Sequence, residues 1–267
     1  MKSADCLNLN NGSAVVAAMR PKPFGRAPPK ISRLKPLAPA GVPAWVQIAI
    51  FLCALIAAEV VRGDELRCPQ TNVVVYSADG RDVAIACEAA GQALGFFAAN
   101  DLDTTGAVEV HLVSKLPDVP NSSSSYGCYD HWSRRVYMLF LSGCLEQGPW
   151  AELPIDRALY KSLLTHEVAH AVADANFSVP KPGMLAHEYL AYVTMFATMP
   201  PGQRERVLER FPGEGFDSVE QMSVTYYLMN PLRFGAEAYR HFLKLDDRKI
   251  FLKDVLSGRV LIGRNVP

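Results

Sequence analysis

The sequence predicts an α+β fold, with a small mixed sheet and helices in the N-terminal half of the folded region and a mainly helical C-terminal half. Two observations carry this. Short β-branched or alternating runs at 72–77, 107–113 and 134–141 all fall between residues 64 and 150. Beyond residue 153 apolar residues recur at helical spacing, and Pro and Gly punctuate the segments. The expected organisation is a leader at 1–63 and one folded domain at 64–267. Within that domain, 64–150 forms the sheet half, 153–199 the two central helices, and 202–267 the helical half.

The leader combines seven prolines and seven Lys/Arg in residues 1–43 with a single acid, Asp5. Residues 44–58 (AWVQIAIFLCALIAA) then form an apolar run of 15. A basic flank before a run of that length reads as a secretory signal, with Val61 and Gly63 placed for cleavage before Asp64. A membrane span wants about 20 residues. Export to a secreted or periplasmic location is therefore expected, with an uncleaved anchor at 44–58 as the alternative and Met19 as a candidate start. Membrane contact follows only if the signal stays attached.

Composition is ordinary for a globular chain, 49% hydrophobic and 20% charged. Residues 44–267 hold 20 basic and 26 acidic side chains, with no basic stripe of the kind a nucleic-acid partner requires. Four cysteines lie beyond residue 64, an even number suited to two disulfides in an oxidising compartment. Neighbour pairing, Cys68–Cys87 with Cys128–Cys144, is the simplest of three connectivities. No C-x-x-C spacing supports a thiolate metal site.

Taken in order, 72–77 (NVVVYS) is a strand closed by the turn residues Asp79-Gly80. Residues 82–97 place Val83, Ala86, Cys87, Ala90, Leu94 and Phe97 at helical spacing, as a helix packed on a sheet does. Residues 107–113 alternate, exposing Glu109 and His111; a lone His on a polar strand face stays out of any site. Residues 117–126, with four serines in a row, form a surface loop. The strand at 134–141 is read as the sheet edge along which a peptide could lie. Asp130-His131-Trp132 offers polar groups beside it, which a surface turn explains equally well.

Leu153-Pro154-Ile155-Asp156 starts the next helix, with Pro in its first turn and an acid near its positive end. Asn176 ends it. This helix is largely apolar, yet it holds His166-Glu167-Val168-Ala169-His170. Positions i and i+4 share a helix face, so both imidazoles can reach one ion, while Glu167 is rotated about 100° to its side. Neutral nitrogen ligands, an open position and a flanking base are what zinc-assisted hydrolysis needs.

A third ligand is expected on the helix at 184–199, where Glu188 is the only charged residue. An isolated carboxylate on so apolar a helix needs a partner. The first helix runs on about 9 Å past His170, the connector reverses, and five residues climb back about 7.5 Å, so an antiparallel pair brings Glu188 level with His170. His187 is the competitor, because both faces of this helix could be buried. Further on, helices are expected at 203–210, 219–229, 231–245 and 248–256. Tyr226, Tyr227, Tyr239 and His241 there are possible oxyanion donors, though each reads first as a packing or surface aromatic.

The run Thr165-His166-Glu167-Val168-Ala169-His170-Ala171-Val172-Ala173-Asp174 resembles the active helix of the thermolysin-type gluzincins, zincin metallopeptidases that add a Glu from a following helix. The similarity covers residues 155–188. It implies a zincin-like fold, a Zn²⁺ ion held by His166, His170 and Glu188, and Glu167 as general base toward a peptide or protein substrate. Metzincins match poorly, since their Gly and third His fall at Ala173 and Asn176. Where thermolysin-like enzymes carry an acid four places past the glutamate ligand, this chain has Tyr192, which leaves His166 without an assigned orienting partner. The rival expectations are a non-catalytic zinc protein that kept the fold, and an anchored envelope protein whose motif is coincidental.

Overall fold

A computed structural model of the chain describes residues 64–117 and 125–261. The expectations for the leader and its apolar run lie outside these residues, as does most of the Ser-rich loop. The described chain is α+β, with a five-stranded mixed sheet and eight α-helices. The strands are β1 (Asp64–Arg67), β2 (Val73–Ser77), β3 (Val108–Val113), β4 (Gly127–Asp130) and β5 (Arg135–Leu139). Their order in the sheet is β1-β2-β3-β5-β4. β2, β3 and β5 run parallel, and β1 and β4 close the two edges antiparallel.

Alternation explains why β2 and β3 sit where they do. Val73, Val75 and Ser77 on one, and Val108, Val110 and Leu112 on the other, are buried, while the residues between them are partly exposed. His111 is held on the opposite face, stacked on Tyr76 at 4.6 Å and 3.5 Å from Glu109, away from the central helices' histidines. Helix α1 (Val83–Ala99) makes the crossover that parallel β2 and β3 require. Cys87 on α1 is disulfide-bonded to Cys68 just after β1. Asp82, in the left-handed region at the start of α1, accepts at 2.8 Å from the amide of Leu141, the first residue of α2 (Leu141–Gln147).

Helix α3 (Arg157–Asn176) is the hub, packing against α1, β4, β5 and the next helix, α4 (Met184–Thr198). Asp156 is its N-cap, accepting from the Leu159 amide at 2.7 Å, so Pro154 lies ahead of the helix rather than in its first turn. The Tyr160 hydroxyl donates to the Leu139 carbonyl at 2.9 Å, fixing the helix to β5. At the other end Asn176 bonds both the Asp103 amide and the Asp103 carbonyl, clamping the helix terminus to the loop before β3.

The helical half continues with α5 (Pro201–Arg210), a short 3₁₀ turn (Val219–Gln221), α6 (Val224–Met229), α7 (Pro231–Lys244) and α8 (Arg248–Leu256). Three expectations need correction, and strand β1 lies outside the sequence pattern. The strand at 134–141 is interior, and the edge is β4, whose short GCYD run offers too little alternation to read. Strand β1 has no apolar pattern and forms by pairing with β2. The single helix expected at 219–229 is broken, because the Ser223 hydroxyl caps α6 by accepting from Tyr226. Cys128–Cys144 does not form: Cys144 is a free, buried thiol and Cys128 is otherwise disulfide-bonded. Among the described residues no helix is long and apolar enough to cross a membrane.

Gly127 is where the sheet edge meets α3. A Cβ there would stand 2.7 Å from Met138 Sδ, 2.9 Å from the Tyr137 carbonyl and 3.1 Å from Glu167 Cγ. Gly127→Ala is expected to lower stability by about 1–3 kcal/mol, the usual range for overpacking. Thermal denaturation of the variant reads this, and an unchanged midpoint would contradict the close approach.

Candidate metal centre

Helices α3 and α4 form the antiparallel pair the connector length demands, and Glu188 returns beside the two histidines. His166 Nε2 and His170 Nε2 are 3.2 Å apart. Glu188 Oε1 lies 3.6 Å from His170 Nε2 and Oε2 lies 3.8 Å from His166 Nε2. Ligand atoms at about 2.0–2.1 Å around a tetrahedral ion are separated by about 3.3–3.4 Å, so these three side chains could share one metal ion with modest adjustment. His166 is fully buried, and His170 and Glu188 are each 2% exposed. His187, the competitor, faces away into a separate group with His131 and Asp174.

Glu167 flanks the triad. It is wholly buried, and neither carboxyl oxygen has a hydrogen-bond partner. Burial alone pushes its carboxyl up to about 8. Burial pushes His166 down to about 3, and holds His170 well below the ordinary range, aided by the neighbouring His166, His187 and His131. Both imidazoles are therefore neutral near pH 7, the state a metal ligand requires.

Two tyrosines complete the wall. Tyr192 puts its ring edge-on to His166, with centroids 4.5 Å apart, at the position where the thermolysin-like pattern has an acid. A Cβ on Gly235 of α7 would fall 2.3 Å from that ring, so only glycine leaves room for it. Tyr227 on α6 faces Glu188, and burial together with that carboxylate holds its phenol well above the ordinary range. Of the four suggested donors, Tyr227 alone comes to the triad. Tyr226 packs on Phe216, Tyr239 on Phe196, and His241 shares a 2.8 Å hydrogen bond with the Tyr189 hydroxyl. The outer nitrogens, His166 Nδ1 and His170 Nδ1, have no partner among the described residues.

A cavity of about 570 Å³ opens onto His170 and Glu188, walled by Tyr129, Trp132, Met184 and His187. Glu167 and His166 do not line it.

Compared with known proteins, residues 73–265 match a family described as a family of unknown function (DUF6639), a span that includes every residue of this centre. No curated protein and no solved structure matches the chain.

In the metal-free protein the Glu167 value stands above the ordinary 4.5, so the stabilising neutral form is fully present below about pH 4.5 and is lost as pH rises through about 8. Glu167→Gln keeps the neutral shape at every pH. With chelator present, the melting temperature of that variant is expected to gain on the wild type between about pH 5 and about pH 8.5. A difference that does not vary with pH would place the carboxylate in a solvated or ion-paired setting instead.

Proposed function

The chain belongs to this family of unknown function, DUF6639, and we propose that it is an exported zinc metallopeptidase of the gluzincin kind, with His166, His170 and Glu188 as ligands and Glu167 as general base. One observation carries the reading: three side chains converge, their nitrogen and oxygen atoms 3.2–3.8 Å apart, inside an apolar helix pair, with the unpartnered Glu167 carboxyl beside them. Two buried imidazoles and a buried carboxylate are a donor set suited to zinc. A zinc ion held there supplies Lewis acidity and a water acidified to near neutral pH.

The protein's own groups then divide the work. Glu167 has no hydrogen-bond donor and holds its proton near pH 7 in the metal-free protein; a zinc cation beside it would favour the carboxylate, which could then take a proton and pass it to a leaving amine. Tyr227, which faces Glu188 and keeps its phenol protonated across the working range, is the candidate donor to a developing oxyanion. β4 is an end strand of the sheet among the described strands, the position beside which an extended peptide could lie. The disulfide Cys68–Cys87 agrees with an oxidising compartment.

A second reading is a metal protein without catalysis. The burial of Glu167 and its absence from the cavity wall favour it. Chelator-sensitive cleavage of mixed peptides separates the two. On the proposed reading, Glu167→Gln retains its metal and loses about 10²–10⁴-fold in turnover. Glu188→Ala loses most of its zinc by elemental analysis. Wild-type turnover in the first variant would remove Glu167 as base, and full zinc content in the second would remove Glu188 as ligand.

A further inference from the structure

We propose a second transition-metal site at the mouth of the same cavity, built by His131, Asp174 and His187. The three residues come from separate elements: the β4–β5 turn, the helical turn after His170 on α3, and the residue before Glu188 on α4. Each offers one ligand atom, and these atoms all lie within 4.8 Å of one another.

The Asp174 carboxylate is divided between two tasks. Its Oδ2 accepts from the Tyr129 hydroxyl at 3.1 Å and lies 3.5 Å from Arg134 Nε. Its Oδ1 is turned to His131 Nδ1 at 3.6 Å, beyond a good hydrogen bond. A carboxylate oriented through one oxygen, with the other turned to a ligand group, is how metal-bound carboxylates are commonly held.

A hydrogen-bonded network of Tyr129, Arg134 and His131 around Asp174 would explain that residue without any ion. It does not explain His187. This imidazole is 5% exposed, and its Nδ1 has no hydrogen-bond partner. Its ring is packed against Phe177 on one side and His131 on the other, each with centroids 4.5 Å away. A buried imidazole whose Nδ1 has no partner, with a ring nitrogen within 4.8 Å of ligand atoms of a second imidazole and a carboxylate, is accounted for by a shared cation. Two imidazoles with one carboxylate select zinc, cobalt, nickel or copper over magnesium or calcium.

The two groups have no residue in common, so no carboxylate bridges them as in two-metal centres with ions about 3.5–4 Å apart. The His170 and His187 rings are 6.1 Å apart, and the second group lines the cavity that leads to His170 and Glu188. The outer site therefore fills independently. It is the weaker of the two, because His131 and Asp174 are partly exposed and Arg134 adds a competing positive charge. An ion held there narrows the approach to the inner site. The inference stands whether or not the inner centre is catalytic.

Cobalt(II) titration of the full chain, followed by calorimetry and visible absorption, tests it. Wild type is expected to bind about two ions per chain in two affinity classes. His131→Ala and Asp174→Asn, both at partly exposed positions, should each lose the weaker class and keep the tighter. His166→Ala should lose the tighter class and keep the weaker. A wild type that saturates at one ion, with that ion lost in His166→Ala, would overturn the proposal. So would a second class that survives in both His131→Ala and Asp174→Asn. If His166→Ala changes nothing while His131→Ala abolishes binding, the outer site stands and the inner one fails.

Discussion

Everything in this structure depends on placing polar groups at one depth inside an apolar helix pair. His166, Glu167, His170 and Glu188 are removed from water by α1, the sheet and the helical half. Burying a carboxylate or an imidazole without a partner is unfavourable by several kcal/mol. That burden rests on the alignment of α3 with α4, and the local devices around them serve that alignment. Asp156 sets where α3 begins, Tyr160 ties it to β5, and Asn176 locks its end to the loop before β3. The connector length then fixes the height at which Glu188 returns. Two glycines clear the space, Gly127 beneath Glu167 and Gly235 beneath Tyr192.

Much of this was legible in the sequence because it is carried by local periodicity. The i, i+4 histidines, the single charged residue on the α4 run and the seven-residue connector are enough to bring Glu188 to His170. The alternation of β2 and β3 is equally plain. What escaped reading depends on long-range contact. Strand β1 exists only through its pairing with β2, and β4 is too short to show a pattern, so the sequence pattern points to the interior β5 as the edge. Neighbour pairing of the last two cysteines failed because Cys144, on α2, is buried in the core, with its thiol 3.7 Å from the Leu139 carbonyl. The choice of Tyr227 among four aromatics follows from where α6 docks, and the break at Ser223 that sets α6 is a single side-chain cap.

The outer face of the centre was also hidden in the sequence. His131 and Asp174 are 43 residues apart in the chain, and a turn and a helix end each explain them locally. Only the packing of β4 against α3 brings them to His187. The result is an arrangement in which His166 and His170 lie buried inward, and buried His187 with partly exposed His131 and Asp174 lie at the cavity.

The most direct test of the account is anomalous diffraction at the zinc edge from crystals of the chain loaded with one equivalent of zinc. The account predicts a single strong peak about 2 Å from His166 Nε2, His170 Nε2 and a Glu188 oxygen. A chain that binds zinc with no peak between those three atoms would contradict it.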